Sequence, residues 1–422
     1  MDTIRDAFLT FVKTQWIEFA LLAIVIIWLL IFLARNRKKI EDQPLIRIGG
    51  FNILSISLAR TSWGLALMNT WAKKYREWIK LFGYIAIGIG FIGLALNLVS
   101  LIAIIKNIIQ TPSTAQVSLV LPFTNVPGLG YLAFSHWIIA IIILMCVHEF
   151  SHGVVGRASN ITIKTSGMAV LRFLYIPVIP GAFVEQDEKE FETHSDVEKY
   201  AMLSAGPVSN ILLSIIFLLI SLFIFAPLTT HMTEPVGFSF TAIIADKPAA
   251  LQNVTTDMLF NSVNGKLTND SSQLFTQLLY NTKPGDQMTL GYFNYTTGLA
   301  NDSLTKIITT QASPTDASTA FLGISGINNV RDFKPQYKPY EKAFNWFADL
   351  VHICFIFNLL IGLINLMPLF ITDGGQIVRV FTKQLYAKDK EKAKRAYTIV
   401  NLICVSILAA AFIIPLVVQS LR

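Results

Sequence analysis

The sequence predicts an α-helical polytopic membrane protein of about six transmembrane helices, with an α+β domain inserted between the fourth and fifth helices. Three observations support this fold class. First, 53% of the 422 residues are hydrophobic and only 14% are charged, which is too apolar for an ordinary soluble domain. Second, several apolar runs reach the length of about 20 residues that a spanning helix needs. Third, residues 227–343 interrupt these runs with short β-like segments and turn residues.

The placement of basic residues predicts the orientation of the spans. The six spans are Trp16–Ala34, Leu81–Ile105, Trp137–Gly156, Ala201–Ala226, Phe344–Leu369 and Tyr397–Ser420. Lys and Arg are concentrated in residues 35–80 and 379–395, whereas residues 107–136 contain neither. Because basic loops stay on the cytoplasmic side, both termini and residues 227–343 are predicted outside, and residues 157–200 inside. The net charge of +7 thus indicates topology, and no nucleic-acid partner is expected.

The composition divides the chain into five regions. They are N-terminal membrane helices with a basic segment (1–136), a first core part (137–226), the inserted domain (227–343), a second core part (344–380), and a basic loop with the last helix (381–422). Within the first region, residues 45–72 are moderately apolar but contain Arg47 and Arg60. This favours an interfacial or re-entrant element over a further span.

The inserted domain combines strands, a tight turn and one amphipathic helix. Asn264-Gly265 predicts a hairpin turn, Ser272–Tyr280 an amphipathic helix, and the Lys-Pro-Gly-Asp of residues 283–286 precedes another strand. This pattern resembles a PDZ domain of the kind attached to membrane and periplasmic proteases. The resemblance implies that a peptide terminus binds by strand addition, with a groove near Gly237–Phe240. The alternative is a β-rich spacer without a ligand.

A metal-binding pattern lies inside the third span, at His148-Glu149-Phe150-Ser151-His152. Positions i and i+4 share one face of a helix, so both imidazoles have the spacing that chelates one zinc ion, and Glu149 can serve as general base. In a soluble helix the same pattern is often only a solvated polar face. Here an ionisable side chain at mid-membrane costs ~2.5–3.5 kcal/mol, and zinc sites release ~10–16 kcal/mol. The position therefore favours a metal site, towards the cytoplasmic half of the membrane.

Two histidines leave a third ligand to be found. The other histidines, which are predicted in loops or near the outer side, are His136, His194, His231 and His352. Asp373 is a better candidate, because it ends the fifth span on the side where His152 is also predicted. Its Gly-Gly neighbours permit irregular backbone, which at membrane depth is tolerated only inside protein or a wet cavity.

The combination of motifs resembles one family. His-Glu-x-x-His in a span, with Asn-x-x-Pro at residues 365–368 and Asp-Gly-Gly at 373–375, is similar to the signature of site-2 proteases, the zinc intramembrane metalloproteases. The resemblance covers residues 137–226 and 344–380, and the family often carries a PDZ domain between them. It implies one Zn²⁺ per chain.

The resemblance also implies roles for single residues. His148, His152 and Asp373 are the implied zinc ligands, Glu149 is the implied catalytic base, and Asn365 is implied near the substrate carbonyl.

Two further segments extend the resemblance. Ser204-Ala-Gly-Pro-Val-Ser-Asn210 looks like the family's Gly-Pro-x-x-Asn helix start, in which Gly206 allows close helix packing. Asn210 is either a catalytic residue or a simple interhelical hydrogen bond. Residues 167–188 resemble membrane-dipping β elements that hold substrate as an added strand, the alternative being an amphipathic loop. The residues before Asp-Gly-Gly, Leu-Phe-Ile-Thr, depart from the family's usual second Pro and alter the expected helix geometry.

The predicted function is hydrolysis of a peptide bond within or near the transmembrane helix of single-span substrates in the lipid bilayer. The resemblance implies the second cut of regulated intramembrane proteolysis in a prokaryotic cell membrane, with the PDZ-like domain outside. A metal-binding transporter and a non-catalytic scaffold of protease ancestry are the alternatives. Neither needs the carboxylate of Glu149, so Glu149→Gln discriminates between them and the enzyme.

Overall fold

The computed structural model describes residues 15–37, 40–48, 51–112, 120–126, 129–174, 176–267, 279, 281–293, 304–314 and 316–420. The chain forms two compact units. One combines Met1–Ser221 with Phe347–Arg422, and the other is Leu222–Trp346.

Long helices dominate the first unit, and short helices also occur in the second. The helices in chain order are α1 (Trp16–Arg35), α2 (Leu65–Lys74), α3 (Arg76–Gln110), α4 (Phe134–Ala158), α5 (Glu188–Thr193), α6 (Asp196–Ile220), α7 (Ala226–Met232), α8 (Pro248–Leu251), α9 (Glu341–Asn365), α10 (Asp373–Leu385) and α11 (Lys390–Ser420). Among the described residues, six helical segments are long and apolar enough to span a membrane. They contain α1, α3, α4, α6 continued to Met232, α9 and α11, which confirms the predicted set.

The strands form one sheet in each unit and two short ribbons. They are β1 (Ile40–Ile48), β2 (Phe51–Thr61), β3 (Asn125–Val126), β4 (Gly130–Tyr131), β5 (Ile163–Phe173), β6 (Ile176–Gln186), β7 (Thr233–Ile243), β8 (Leu259–Val263), β9 (Lys266–Leu267), β10 (Gln287–Phe293), β11 (Leu304–Thr309), β12 (Gln311–Ala312), β13 (Ala320–Phe321) and β14 (Ile324–Phe333).

The sheet of the first unit is antiparallel, in the order β1-β2-β5-β6. The β5–β6 hairpin contains most of residues 167–188, so the predicted β character of that segment is confirmed and the loop alternative is wrong. Residues 45–72 contain no helix long enough to span a membrane among the described residues, as the sequence predicted, and most of them form the end of β1, all of β2 and much of α2. Leu54, Ile56 and Leu58 alternate with small residues in β2, which is the period of a strand.

The fifth span ends earlier than the sequence predicted. Helix α9 stops at Asn365, four residues before Leu369. The amides of Leu366 and Met367 bond to carbonyls three residues back, which tightens the turn, and Pro368 cannot donate. Glycines bring α3 against this region, since a Cβ on Gly93 would collide with the side chain of Leu366. This break frees the following residues to start a new helix at the site.

The second unit is built on a sheet in the order β11-β10-β8-β7-β14, with β9 paired to β8. Its core includes Phe238, Phe240 and Phe260. Asn264 and Gly265 have φ values of 50° and 75°, which confirms the predicted turn between β8 and β9. The helix predicted over residues 272–280 falls almost wholly outside the described residues. Residues 237–240, near which a peptide groove was predicted, lie in β7, which is paired with both β8 and β14, and peptide binding there stays a prediction.

Candidate active site

Helix α4 carries the two histidines at the centre of the site. His148 and His152 are 7% and 8% exposed, one helical turn apart on the same face. Their Nε2 atoms lie 3.1 Å apart, and the rings meet edge to face. The i, i+4 spacing therefore places two imidazole nitrogens side by side inside the protein.

The first residue of α10 completes the cluster. Asp373 Oδ2 lies 3.1 Å from His148 Nε2, and its Oδ1 lies 3.3 Å from His152 Nε2. Thr372 caps the helix, because its hydroxyl accepts a hydrogen bond from the Gly375 amide at 3.2 Å. A Cβ on Gly374 or Gly375 would collide with backbone carbonyls of residues 366–369. The two glycines thus let the chain fold back tightly enough to bring Asp373 to the histidines.

Both imidazoles have partners for their outer nitrogens. His152 Nδ1 lies 2.7 Å from the Met202 carbonyl oxygen, which can only accept, so this nitrogen carries the proton and Nε2 keeps its lone pair. His148 Nδ1 lies 3.3 Å from the side-chain nitrogen of Asn210, whose side-chain oxygen has no hydrogen-bond partner. A half-turn of that amide places the oxygen to accept the Nδ1 proton. These are the partners that metal-ligating histidines need.

Gly206 lies where helix α6 passes the metal-binding face. A Cβ at this position would collide with the ring of His152. The residue is therefore part of the packing that brings Asn210 and Met202 of the same helix to the two imidazoles. The remaining four histidines have other surroundings: His194 pairs with Glu190 and Glu198, His231 with Tyr337, and His352 meets the Phe355 ring, while His136 is buried.

The donor set fits a zinc ion. His148, His152 and Asp373 are the group of metal-capable side chains found among the described residues. Their ligand atoms lie 3.1–3.3 Å from one another. Tetrahedral zinc with bonds of about 2.0–2.1 Å sets neighbouring ligands about 3.3 Å apart. Two imidazoles and a carboxylate leave one coordination position for water or substrate.

The cluster lies at a cavity of about 510 Å³ that also contains Glu149 and Asn365. Glu149 Oε2 accepts a hydrogen bond of 2.9 Å from the backbone amide of Val184 in β6. Asn365 is the last residue of α9, at the break that precedes α10. The structure therefore brings together every residue that the sequence singled out for chemistry. The Val184 amide and the Met202 carbonyl were missed, because backbone groups leave no signal in residue identity.

The family model of Peptidase family M50 matches residues 136–410. The chain belongs to peptidase family M50. It is a membrane metallopeptidase of the site-2 protease type, in agreement with the resemblance of its motifs. Members of this family are zinc metalloproteases.

The chain is also similar to individual proteins. The uncharacterized protein MJ0971 of Methanocaldococcus jannaschii is 26% identical over 385 residues, which cover 89% of this chain and 87% of that protein. The solved PDZ domain of the SdrC-like protein Lmo2051 from Listeria monocytogenes is 21% identical, with a TM-score of 0.18. That match covers 21% of this chain and 86% of that domain.

Proposed function

We propose that this protein is a zinc-dependent intramembrane protease that hydrolyses a peptide bond within or near the transmembrane helix of single-span substrates. One observation carries the proposal. The ligand atoms of His148, His152 and Asp373 converge beside Glu149 in one cavity, and α4, which carries the two histidines and Glu149, is apolar enough to span a membrane.

The metal would be held by His148, His152 and Asp373. When bound, a zinc ion polarises the substrate carbonyl and makes water nucleophilic near neutral pH. The Met202 carbonyl and the Asn210 amide hold the two imidazoles so that both Nε2 lone pairs face the carboxylate of Asp373.

Glu149 would move the protons of the reaction. Its carboxylate takes a proton from the attacking water and gives it to the leaving amine, which is general base and then general acid catalysis. The backbone amide of Val184 orients this carboxylate by donating a hydrogen bond to it. Asn365 lines the same cavity, where its side-chain amide can donate to the carbonyl oxygen as negative charge develops.

The outer edge of β6 would hold the substrate. In the described residues β6 pairs with β5 alone, and β6 lines the cavity of the site. An extended segment can add to such an edge through backbone hydrogen bonds. A substrate helix must unwind first, because its amides are otherwise occupied, so helix-breaking residues near the cut should favour cleavage.

The second unit would act as a filter outside the membrane. The proposal rests on the PDZ-like sequence pattern and on the basic loops, which predict residues 227–343 outside. A PDZ-like domain there would reject substrates whose outer domain is intact, which makes this the second of two cuts. The test compares one single-span substrate with and without a folded outer domain. Equal cleavage of both would contradict the filter.

The function itself is tested with purified protein, zinc and a panel of single-span substrates, with products identified by mass spectrometry. Cleavage should stop on addition of a chelator and return with zinc. Glu149→Gln should lower the rate by about 10²–10⁴-fold, the usual contribution of a general base, while bound zinc stays at the wild-type level. A Glu149→Gln protein that cleaves at the wild-type rate would exclude this mechanism. Zinc binding without cleavage of any substrate would favour the transporter or scaffold.

A further inference from the structure

A second cavity, of about 350 Å³, lies beside the candidate active site. Its walls come from α1, the end of β2 and the turn that follows it, α2, α4 and the β5–β6 hairpin. The side chains that line it are mostly apolar, and include Phe32, Met68, Cys146, Phe150, Met168 and Phe183. Glu149 is the one acidic or basic residue among the described residues that line it.

The two cavities lie on either side of Glu149. Glu149, Ala182, Phe183 and Val184 line both of them. Successive residues of α4 are turned by about 100° around the helix axis. Relative to His148, Glu149 is therefore turned by about 100°, and the cavity-lining Cys146 by about 160° in the same direction. The metal-binding face and the apolar cavity are thus adjacent, with the proposed base between them.

The backbone of β6 shows which residues face its open edge. Val184 pairs with Ser166 of β5, and the carbonyl of Ser166 accepts from Thr61 on the far side of that strand. Ser166 therefore directs its backbone groups away from β6. Val184 directs its own amide away from β5, where it donates to Glu149. Alternate residues of β6 share this outward direction, because a strand has a period of two.

Residues 180, 182 and 184 of β6 face the open edge, and one of them has an amide that can pair with an added strand. Pro180 also faces outward and has no amide proton, which is the side on which a strand tolerates proline. The Val184 amide is engaged by Glu149. Ala182, between them, presents an amide and a carbonyl to an added strand, and no strand pairs with this edge in the described part of the chain.

We propose that the substrate pairs with β6 at Ala182 and inserts one large apolar side chain into the second cavity. This inference rests on the proposed function. Successive side chains of an extended segment point to opposite sides. When one residue faces the metal-binding cavity, its neighbour is directed past Glu149 into the apolar cavity. The cavity is therefore a specificity pocket for a residue next to the cleaved bond, and it selects Leu, Met or Phe over Ala or a charged residue.

The first test measures occupancy without turnover. Cys146 is exposed in the cavity wall, whereas Cys354 and Cys404 are 0% and 2% exposed and serve as internal references. The Glu149→Gln protein is treated with N-ethylmaleimide, with and without a single-span host peptide that has a central Asn-Gly pair and one guest residue. Mass spectrometry then gives the rate of labelling. A Leu guest at the register that fills the pocket should slow labelling of Cys146 at least ~10-fold relative to an Ala guest, in line with the selectivity of hydrophobic pockets.

The second test measures selectivity. Ala, Leu, Phe or Lys is placed in turn at each position that flanks the Asn-Gly pair of the host peptide. The kcat/KM values for these peptides are then compared at equal zinc content of the enzyme. Wild type should prefer Leu or Phe over Ala by at least ~10-fold at one position. Cys146→Phe fills the pocket and should make Ala the best guest there. Ile142→Phe adds the same ring one turn earlier, outside the cavity lining, and should keep the wild-type order.

The outcomes separate this inference from the proposed function. An unchanged guest preference in Cys146→Phe, or labelling of Cys146 that no guest slows, would overturn the pocket even if the peptides are cleaved. If wild type with zinc cleaves none of the peptides, the proposed function fails for them. In that case protection of Cys146 in Glu149→Gln still decides whether the pocket takes an apolar side chain.

Discussion

The Asn210→Ala variant tests whether helix α6 supports the metal ligands. Asn210 is fully buried, and its side-chain amide is the partner of His148 Nδ1 at 3.3 Å. Loss of such an outer partner lowers metal affinity by about 10–100-fold. The contact is longer than the 2.7 Å between His152 and the Met202 carbonyl, which remains in the variant. We therefore expect the lower end, about 10-fold or ~1.4 kcal/mol.

The assay is competition for zinc between the purified protein and a calibrated chelator, so it needs no substrate. Ser214→Ala is the matched control. Ser214 is buried one turn later on the same helix, and its hydroxyl donates to the carbonyl of Ile211 at 2.7 Å. The control should bind zinc within about 3-fold of wild type, since it touches no ligand. An Asn210→Ala protein that binds zinc as tightly as the control would refute the supporting role of this amide.

Three further predictions concern a helix contact at the site, an ion pair in the first-unit sheet and the bound metal. Gly206→Ala places a methyl group against the ring of His152 and should reduce zinc bound per chain, whereas Gly88→Ala, with open space around the added Cβ, should not; equal zinc content in the two would contradict the packing. Arg60→Ala removes the pair with Glu41 and a hydrogen bond of 2.7 Å to Glu185, and loss of the partly exposed Glu185 pair should destabilise the first-unit sheet by about 0.2–1 kcal/mol. Arg60 holds the pKa of Glu185 below its ordinary 4.5, so this stabilisation exists above that pH and is lost as pH falls through the lowered pKa; the difference in Tm between Arg60→Ala and wild type should therefore shrink in acid. Removal of zinc by a chelator should lower Tm, since a ligand of the native state stabilises it by mass action, and an unchanged Tm would argue against a bound metal.

The metal-binding residues could be predicted from the sequence, because the spacing that brings the two histidines together lies within one helix. His148 and His152 share a face in any helix, whatever surrounds it. Asp373 was the harder inference, since it required the sidedness of two spans and the resemblance of Asp-Gly-Gly to a family signature. The sequence also indicated β structure at residues 167–188. It placed the end of the fifth span too late, because the turn at residues 366–368 depends on packing that apolar composition does not reveal.

The sequence by itself determined the six spans, the two histidines of α4 and the chemistry of the donor set, because hydropathy and helical period act over a few residues. Tertiary structure alone decided what surrounds them. Thr61 meets Ser166 across 105 residues of chain, and that pairing leaves β6 with an open edge at the site. The Val184 amide reaches Glu149 because β6 packs against α4, and the apolar cavity beside it is enclosed by residues from α1, α2, α4 and the β5–β6 hairpin that lie far apart in the chain. Such neighbours follow from non-local strand pairing, for which no single stretch of sequence carries the information.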